Sequence, residues 1–259
     1  MKTSLILFSL LIYTISLEPE SYDDLGIDIS KFIIANKTNQ IILVIPSNYS
    51  TSSAKLYLYI KKEGNKWIKK KEIDAYIGAK GLGKEKEGDK KTPVGIYQFN
   101  EYFGIYDNPG TELPYIKINK SHYWDGDNNS DRYNQLVNIE TYTNFDIKKS
   151  EHLIDINPGY EYAMNINYNK EGIKGKGSAI FLHCFTKNTF TEGCVAINRI
   201  HLKEIYQIIN KDCYIIIDTK ENMTKYYEEE SQSDSDWYSC FVVVEISMIF
   251  VFFCFSLCM

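Results

Sequence analysis

Two-residue alternation of apolar and polar side chains dominates the middle of the chain and predicts β-strands rather than helices. Between Leu56 and Ile60, aliphatic side chains alternate with tyrosines, so each type would occupy one face of a strand. Gly64-Asn65 separates this run from a second one that begins at Trp67, and such a pair is typical of a tight turn. The stretch from residue 54 to residue 77 therefore predicts an antiparallel hairpin.

Other apolar runs extend this β pattern in both directions along the chain. Residues 32–46 contain two apolar runs around the polar segment 36–39, which predicts a second hairpin. Residues 113–118 and 160–169 have strand-like patterns, and residues 213–219 predict a buried final strand.

Only one stretch has a helical period. Polar residues fill one face of residues 197–209, and a helix there would end near Asn210-Lys211-Asp212. Apolar side chains recur at steps near three to five, at Ile197, Ile200, Ile205, Ile208 and Ile209.

The pattern as a whole predicts a mainly β fold with mixed or antiparallel, sandwich-like sheets and a few short helices. This domain would occupy residues 30–219, after a polar lead-in at residues 18–29. Residues 220–236 are acidic and contain little that is apolar, so they predict a mobile linker.

Both ends of the chain carry long apolar runs. Residues 1–17 have a lysine before an apolar run and resemble a secretory signal peptide. Residues 237–259 form an apolar tail behind small polar residues, which fits either a GPI-anchor signal or a membrane helix. We therefore expect a protein of the secretory pathway that is membrane-anchored at the cell surface. Five Asn-x-Ser/Thr sites would then make it a glycoprotein: Asn36, Asn48, Asn119, Asn128 and Asn222.

The net charge and the cysteine content argue against some classes of function. A formal net charge of −5 argues against nucleic-acid binding, which needs a basic face. Three of the six cysteines, Cys184, Cys194 and Cys213, fall in the predicted domain, and no CxxC spacing or second ligand pair suggests a metal site. In an oxidising compartment, a Cys184–Cys194 or a Cys194–Cys213 disulfide is an alternative to free thiols.

The candidate chemistry lies between residues 178 and 199. His183 closes one apolar run, and Cys194 follows Gly193 at the start of the next. A hairpin would bring the two side chains together, and an imidazolium beside a thiol lowers its pKa and makes a nucleophile. Backbone N–H groups at the Gly193 turn would hold an oxyanion. The alternative is a packed histidine and a buried, inert cysteine.

Residues 177–197, "GSAIFLHCFTKNTFTEGCVAI", resemble the signature of the L,D-transpeptidase (YkuD-like) catalytic domain. That family places a histidine upstream of a Ser/Thr-x-Gly-Cys motif, which Thr191, Gly193 and Cys194 match. Residues 77–99 resemble the family's Gly-Asp-x-x-Thr-Pro-x-Gly segment. Three residues of the segment 123–137 fit a bacterial branch of the family: Trp124, Tyr133 and Asn134.

The resemblance implies the L,D-transpeptidase fold and an acyl transfer on peptidoglycan stem peptides. Cys194 would be the nucleophile, His183 the general acid and base, and the Gly193 backbone the oxyanion donor. Thr191, Tyr133 and Asn134 would bind the substrate. A thioester acyl-enzyme would lead either to 3-3 cross-links or to L,D-carboxypeptidase-like cleavage, in a monomer with no cofactor or metal.

The chain departs from the family pattern at three positions. Cys184 stands where many members have glycine, and Ala196 stands where an arginine is common. Glu192 would raise the pKa of the neighbouring thiol unless it points to solvent or pairs elsewhere. These departures keep open a second interpretation, a catalytically inactive wall-binding or adhesion module that retains the fold.

Overall fold

The computed structural model of the protein describes residues 25–229, which form two β-sheets. The strands are β1 (Gln40–Pro46), β2 (Ser53–Lys61), β3 (Trp67–Tyr76), β4 (Gly95–Gln98), β5 (Tyr102–Gly104), β6 (Tyr115–Lys117), β7 (His122–Trp124), β8 (Leu136–Asn138), β9 (Glu151–His152), β10 (Ala163–Asn165), β11 (Phe181–Cys184), β12 (Val195–Ile197) and β13 (Tyr214–Ile217). The helix α1 spans Arg199–Ile208, and short 3-10 helices span Ile29–Lys31, Glu63–Asn65, Ile147–Lys149, Leu153–Asp155 and Lys220–Tyr226.

Ten strands form the large sheet, in the order β4-β13-β1-β2-β3-β12-β11-β10-β5-β6. The small sheet has the order β8-β7-β9. Both parallel and antiparallel pairs occur in the large sheet, because β1 and β13 are parallel while β1 and β2 are antiparallel. The predicted mainly β fold with mixed sheets is confirmed.

The β2–β3 hairpin matches its prediction. Gly64 and Asn65 turn the chain with φ values of +71° and +59°. Both faces of β2 are buried, since Leu56 and Leu58 belong to one core cluster and Tyr57 and Tyr59 to another. Alternation of two apolar side-chain types therefore marks a central strand, covered on both sides, rather than a half-exposed one.

The hairpin predicted over residues 32–46 is wrong. Only its second half is a strand, β1, and the first half forms successive turns, with the Ala35 N–H bonded to the Phe32 carbonyl at 2.7 Å. Phe32 instead makes an isolated antiparallel bridge to Tyr227, far along the chain. A run of four apolar residues is too short to distinguish a strand from a packed turn.

The predicted helix exists, but its buried face is different. It starts at Arg199, where the Asn198 side chain accepts the Ile200 N–H at 2.9 Å, so Ile197 belongs to β12 instead. Ile200 is 62% exposed, whereas Leu202, Ile205 and Tyr206 form the buried face. The strand β13, predicted from the last apolar run, is buried beside β1.

The segments predicted as lead-in and linker pack onto the domain where the structure describes them. Ile27 and Ile29 are buried in the second core cluster, and so is Met223. Residues 220–229 are therefore not a mobile linker, because their 3-10 helix docks through a buried side chain. Residues 230–236 lie outside the described residues, and so do the predicted signal (1–17) and tail (237–259).

Within residues 25–229, the structure contains no helix of the length and apolar character that a membrane span requires.

Candidate active site

A cavity of about 710 Å³ lies between the two sheets. Cys194 and His183 both line it, from the large sheet, while Trp124 and Glu151 line it from the small sheet. The cavity is also lined by Lys84, Glu87, Tyr160, Ala179, Thr191 and Glu192. The cavity is large enough for a peptide segment, and its walls combine acidic, basic and aromatic side chains.

The two candidate catalytic residues come from adjacent parallel strands, not from a hairpin. β11 pairs with β12 so that His183 lies opposite Ala196. Side chains two positions apart share a face of a strand, so Cys194 and His183 occupy the same face of this pair. The predicted juxtaposition is present, but the hairpin that was to produce it is wrong.

The Cys194 thiol is held by backbone groups of the neighbouring strand. Its Sγ accepts the Phe181 N–H at 3.3 Å and donates to the Ala179 carbonyl at 3.2 Å. Burial raises the pKa of Cys194 to about 12, and the charge of Glu151 adds to this, while the Phe181 N–H and Lys84 oppose it. The expectation of a low-pKa thiol is therefore wrong for the resting site.

His183 is a neutral base with a defined tautomer. Its Nδ1 lies 2.7 Å from the Cys184 carbonyl, which only accepts, so Nδ1 carries the proton and Nε2 is left free to accept one. Burial lowers the pKa of His183 to about 4. The Tyr160 ring packs edge-on against the imidazole, with the ring centroids 5.5 Å apart.

A cysteine can follow the histidine at position 184 because its side chain does not enter the cavity. Its side chain points away from the cavity into the main core, where Sγ donates to the Tyr162 carbonyl at 3.5 Å. The carbonyl that orients His183 belongs to the backbone, so the substitution leaves the contact with Nδ1 unchanged.

The Gly193 N–H is already occupied. It donates to Thr191 Oγ1 at 3.1 Å, and the same hydroxyl donates to the Cys194 carbonyl at 2.7 Å. Gly193 has φ +146°, and a Cβ there would lie 2.9 Å from the Lys91 carbonyl oxygen, so the turn requires glycine. This geometry does not support the predicted oxyanion role of the Gly193 N–H, and it gives the Thr191 hydroxyl a loop-shaping role.

Tyr133 and Asn134 lie behind the cavity wall rather than in it. Tyr133 is almost fully buried, and its hydroxyl donates to Glu87 at 2.9 Å. The Asn134 amide nitrogen donates to the carbonyls of Tyr168 and Asn169. With these groups satisfied inside the protein, the arrangement does not support the predicted substrate contacts.

Asn134 instead positions the wall beside the thiol. Its Oδ1 accepts the Trp124 indole N–H at 2.9 Å and the Ala179 N–H at 3.0 Å. Ala179 has φ +55°, a left-handed conformation that costs a non-glycine residue energy and needs surrounding support. The Ala179 carbonyl held in this way is the one that accepts the Cys194 thiol.

Glu192 does not act on the thiol. Its side chain is 66% exposed, and Oε1 lies 3.3 Å from the Lys90 ammonium. The pKa of Cys194 responds to Glu151 and Lys84 and not to Glu192. Glu192 therefore pairs elsewhere, which is the condition under which it was not expected to raise the pKa of the thiol.

Lys84 is a site residue that the sequence did not single out. Its side chain is 2% exposed, and its ammonium lies 3.0 Å from Asp89 and donates to the Lys86 carbonyl at 3.2 Å. A Cβ at Gly177 would lie 2.4 Å from Lys84 Cε, so the glycine makes room for this side chain. The sequence signal that could have identified Lys84 is a lysine among glycines, five residues before an aspartate.

Glu151 and Tyr160 also line the cavity, and no pattern in the sequence identified them as site residues. Glu151 belongs to a two-residue strand that pairs with Trp124, and such a short strand leaves no detectable period. Burial raises the pKa of Glu151, and the charge of Glu87 adds to this, while the Tyr160 hydroxyl opposes it. Glu151, Tyr160 and His183 therefore share one cavity with the thiol.

Within residues 25–229, Cys184, Cys194 and Cys213 are free thiols, so neither disulfide considered from the sequence is present. The same part of the chain contains no group of three or more His, Cys, Asp or Glu side chains arranged to hold a metal ion. The absence of cofactors stays a prediction.

Solved structures with a similar fold share little sequence identity with the chain. One is the K307A mutant of the helical cell shape determining protein Pgp2 from Campylobacter jejuni, with 20% identity over 74% of this chain and 50% of that one, and a TM-score of 0.39. Others are L,D-transpeptidases from Stackebrandtia nassauensis (12% identity, 70% and 56% covered, TM-score 0.32) and Mycobacterium smegmatis (12%, 69% and 58%, TM-score 0.29). The chain spans about half the length of these proteins.

A comparison with curated protein sequences gives no match. The model of the YkuD family, described as the L,D-transpeptidase catalytic domain, matches residues 31–217. This match confirms the resemblance noted in the sequence. Because it covers almost the whole described domain, including His183 and Cys194, the chain belongs to the YkuD family of L,D-transpeptidase catalytic domains.

Proposed function

We propose that the protein is a cysteine-dependent acyl transferase that acts on peptidoglycan stem peptides through a thioester on Cys194. The observation that carries this proposal is the placement of Cys194 and His183 on one face of adjacent strands, inside one cavity. The Cys184 carbonyl fixes His183 Nδ1 as a donor, which leaves Nε2 as the base. Membership of the L,D-transpeptidase family supports the substrate class.

Acylation starts from a neutral thiol and a neutral imidazole. His183 Nε2 takes the thiol proton as Sγ bonds to the carbonyl carbon of the third stem residue. The bond from that carbon to the terminal D-alanine nitrogen then breaks, and His183 returns the proton to the leaving amine. Because burial keeps both groups uncharged at rest, the proton moves together with the attack and not before it.

The developing oxyanion needs donors other than the Gly193 N–H. Lys84 is suited to this role, because its ammonium would lie 3.5 Å from a Cβ at Gly193 and thus borders the turn that carries Cys194. A nearby positive charge in a water-poor cavity stabilises an oxyanion strongly. An amine of a second stem or water then resolves the thioester, which gives a 3-3 cross-link or a trimmed peptide.

Incubation with a stem tetrapeptide that ends in D-alanine tests this proposal. The wild-type protein should release D-alanine, and Cys194→Ala should abolish release. Cys184→Ser is the matched control, because that thiol lies in the main core and serine keeps its bond to Tyr162. A carbapenem should add covalently at Cys194 and not at Cys184, as read by peptide mass spectrometry. Release of D-alanine by the Cys194→Ala variant would exclude the cysteine mechanism.

A wall-binding module without catalysis is the second candidate. The observation in its favour is the resting site itself, with a buried, protonated thiol and an occupied Gly193 N–H. Such a module would bind peptidoglycan fragments equally well with and without Cys194, and neither form would release D-alanine.

A surface location and a membrane anchor are also proposals. They rest on the apolar runs at residues 1–17 and 237–259, which lie outside the described residues. Fractionation of cells that express the full chain tests them, since recovery of the intact chain in the soluble fraction would exclude an anchor.

A further inference from the structure

Glu151 faces the thiol from the opposite wall of the cavity. It lies on β9 of the small sheet, directly opposite Trp124 of β7, whereas Cys194 and His183 belong to the large sheet. Its carboxyl group is close enough to Cys194 to affect the pKa of the thiol. A molecule bound between the sheets would therefore contact both Glu151 and the Cys194 sulfur.

The Glu151 carboxyl group lacks a cationic partner among the described residues. Its Oε1 is buried and makes no hydrogen bond within residues 25–229. Two of the three lysines that line the same cavity are engaged elsewhere, since Lys84 lies 3.0 Å from Asp89 and Lys149 lies 3.2 Å from Asp127. The Tyr160 hydroxyl contacts the carboxyl group but carries no charge. A buried carboxylate without a cationic partner is costly, so the site is complementary to a ligand that supplies an N–H donor with positive charge.

We propose that Glu151 binds the primary ammonium group of the acyl acceptor and takes a proton from it, so that the amine attacks the Cys194 thioester. This inference rests on the proposed acyl transfer and identifies the half of the site that receives the second substrate. The acceptor class is the one in the proposed function, a peptide with a primary amine on a side chain, because a carboxyl group without a cationic partner suits an alkylammonium.

The proton and electron balance of this step is complete. The ammonium carries three hydrogens on nitrogen, and one passes to the Glu151 carboxylate to give a free amine. The nitrogen lone pair bonds to the thioester carbon, the carbon–sulfur bond breaks and its electron pair stays on Sγ. A second proton passes through His183 to Sγ, and the third remains on the new amide nitrogen. Glu151 then releases its proton to water.

Glu151 would also decide between transfer and hydrolysis. Water carries no positive charge, so it gains little from the carboxylate, whereas an alkylammonium is both bound and activated there. Burial raises the pKa of Glu151, which brings the carboxylate closer to the proton affinity that a base needs near neutral pH. Transfer to amines should therefore depend on Glu151 much more than hydrolysis does.

The test compares wild-type protein with Glu151→Gln, which keeps the shape of the side chain. Each is given a stem tetrapeptide as donor and a tripeptide with a free side-chain amine as acceptor. Mass spectrometry then measures the ratio of amide product to hydrolysed donor. We expect Glu151→Gln to lower this ratio by about 10²-fold, the typical contribution of a general base. Glu192→Gln, a change at another glutamate of the cavity lining, should leave the ratio unchanged.

Hydroxylamine, used as an alternative acceptor, distinguishes a specific loss of ammonium binding and proton transfer from general damage to the site. It is uncharged near neutral pH, so its reaction with the thioester should be similar in wild type and Glu151→Gln. A Glu151→Asp variant keeps the charge and should recover part of the amine transfer, and it gives a second reading if the Gln variant folds poorly.

Three outcomes overturn the inference and leave the proposed function standing. They are an unchanged product ratio in Glu151→Gln, an equal loss of the hydroxylamine reaction, and a Glu151→Asp variant that transfers no better than the Gln variant. Failure of the proposed function looks different, because the wild-type protein itself would then neither release D-alanine nor form a carbapenem adduct at Cys194.

Discussion

At the scale of single residues, burial controls the chemistry of the site. Cys194 is 9% exposed and His183 is 6% exposed, and both are therefore uncharged near neutral pH. A thiolate–imidazolium pair would need solvent or compensating donors that the cavity does not supply at rest. In the proposed acyl transfer, entry of a substrate would change the surroundings of both groups and make proton transfer productive.

Alkylation of Cys194 in the resting protein should show this state directly. Because the pKa of Cys194 is raised to about 12, the thiolate fraction should grow with pH without a plateau. Labelling by iodoacetamide should increase roughly tenfold per pH unit between about pH 7 and pH 10. Replacement of His183 by alanine should leave this slope unchanged, since a neutral imidazole contributes no positive charge. A plateau below neutral pH would show that the ion pair exists after all.

At the scale of elements, the glycine-rich loop at residues 78–92 holds one wall of the cavity through a buried ion pair. Partial burial opposes ionisation of Asp89, but N–H groups of Glu85, Lys86 and Lys91 and the Lys84 ammonium lower its pKa to about 2. The Gly78 N–H bonds to the Thr92 hydroxyl at 2.8 Å, which ties the two ends of the loop together. The loop is therefore a supporting element with its own pH dependence.

Acid should weaken the fold through Asp89. Its folded pKa of about 2 lies below its ordinary value of 3.8, so its contribution is complete above the ordinary value and is lost as the pH falls towards 2. The loss amounts to about 2 kcal/mol of unfolding free energy. Asp89→Asn should lower the thermal midpoint at neutral pH and flatten its decline in this acid range.

Asp107→Asn is the control for this prediction. Asp107 also pairs with a lysine, Lys117 at 2.7 Å, but its side chain is 88% exposed. An exposed pair contributes little to stability. Equal effects of the two substitutions on the acid branch would contradict a special role of the loop.

At the scale of the whole molecule, the two ends of the described chain close the second core. The Ile33 N–H bonds to the Tyr226 carbonyl at 2.9 Å, and the Phe32 and Tyr227 rings lie 5.2 Å apart. Asp218 is fully buried, and its carboxylate accepts the Tyr226 hydroxyl at 2.8 Å. The chain after β13 is therefore part of the domain and covers the second core cluster.

Truncation after Thr219 should destabilise the protein. It removes Met223, which is fully buried, and leaves Asp218 without the Tyr226 hydroxyl. Met223→Ala alone should cost about 2–5 kcal/mol of unfolding free energy, the usual range for a buried methionine. Thermal unfolding measures both changes. A chain that ends at residue 229 is the control and should keep the thermal midpoint of the full-length chain. An unchanged midpoint after truncation at Thr219 would instead support the interpretation of residues 220–236 as a linker.

The sequence by itself determined the features that depend on neighbours along the chain. Alternation identified β2 and β3, and a continuous apolar run identified β13. Alternation also placed His183 and Cys184 on opposite faces, as the structure shows. The motif around Thr191, Gly193 and Cys194 identified the family. Strand period, turn chemistry and motif spacing are local properties, so a few consecutive residues suffice to reveal them.

Only the tertiary structure decided which strands pair and what surrounds each site residue. A period of two is the same in parallel and antiparallel strands, so the sequence did not distinguish a hairpin from the parallel β11–β12 pair. The structural role of Asn134 and the approach of Glu151 to the thiol depend on segments far apart in the chain. The protonation state of Cys194 and His183 follows from the loss of water when those segments pack, and a pattern of neighbouring residues carries no measure of that loss.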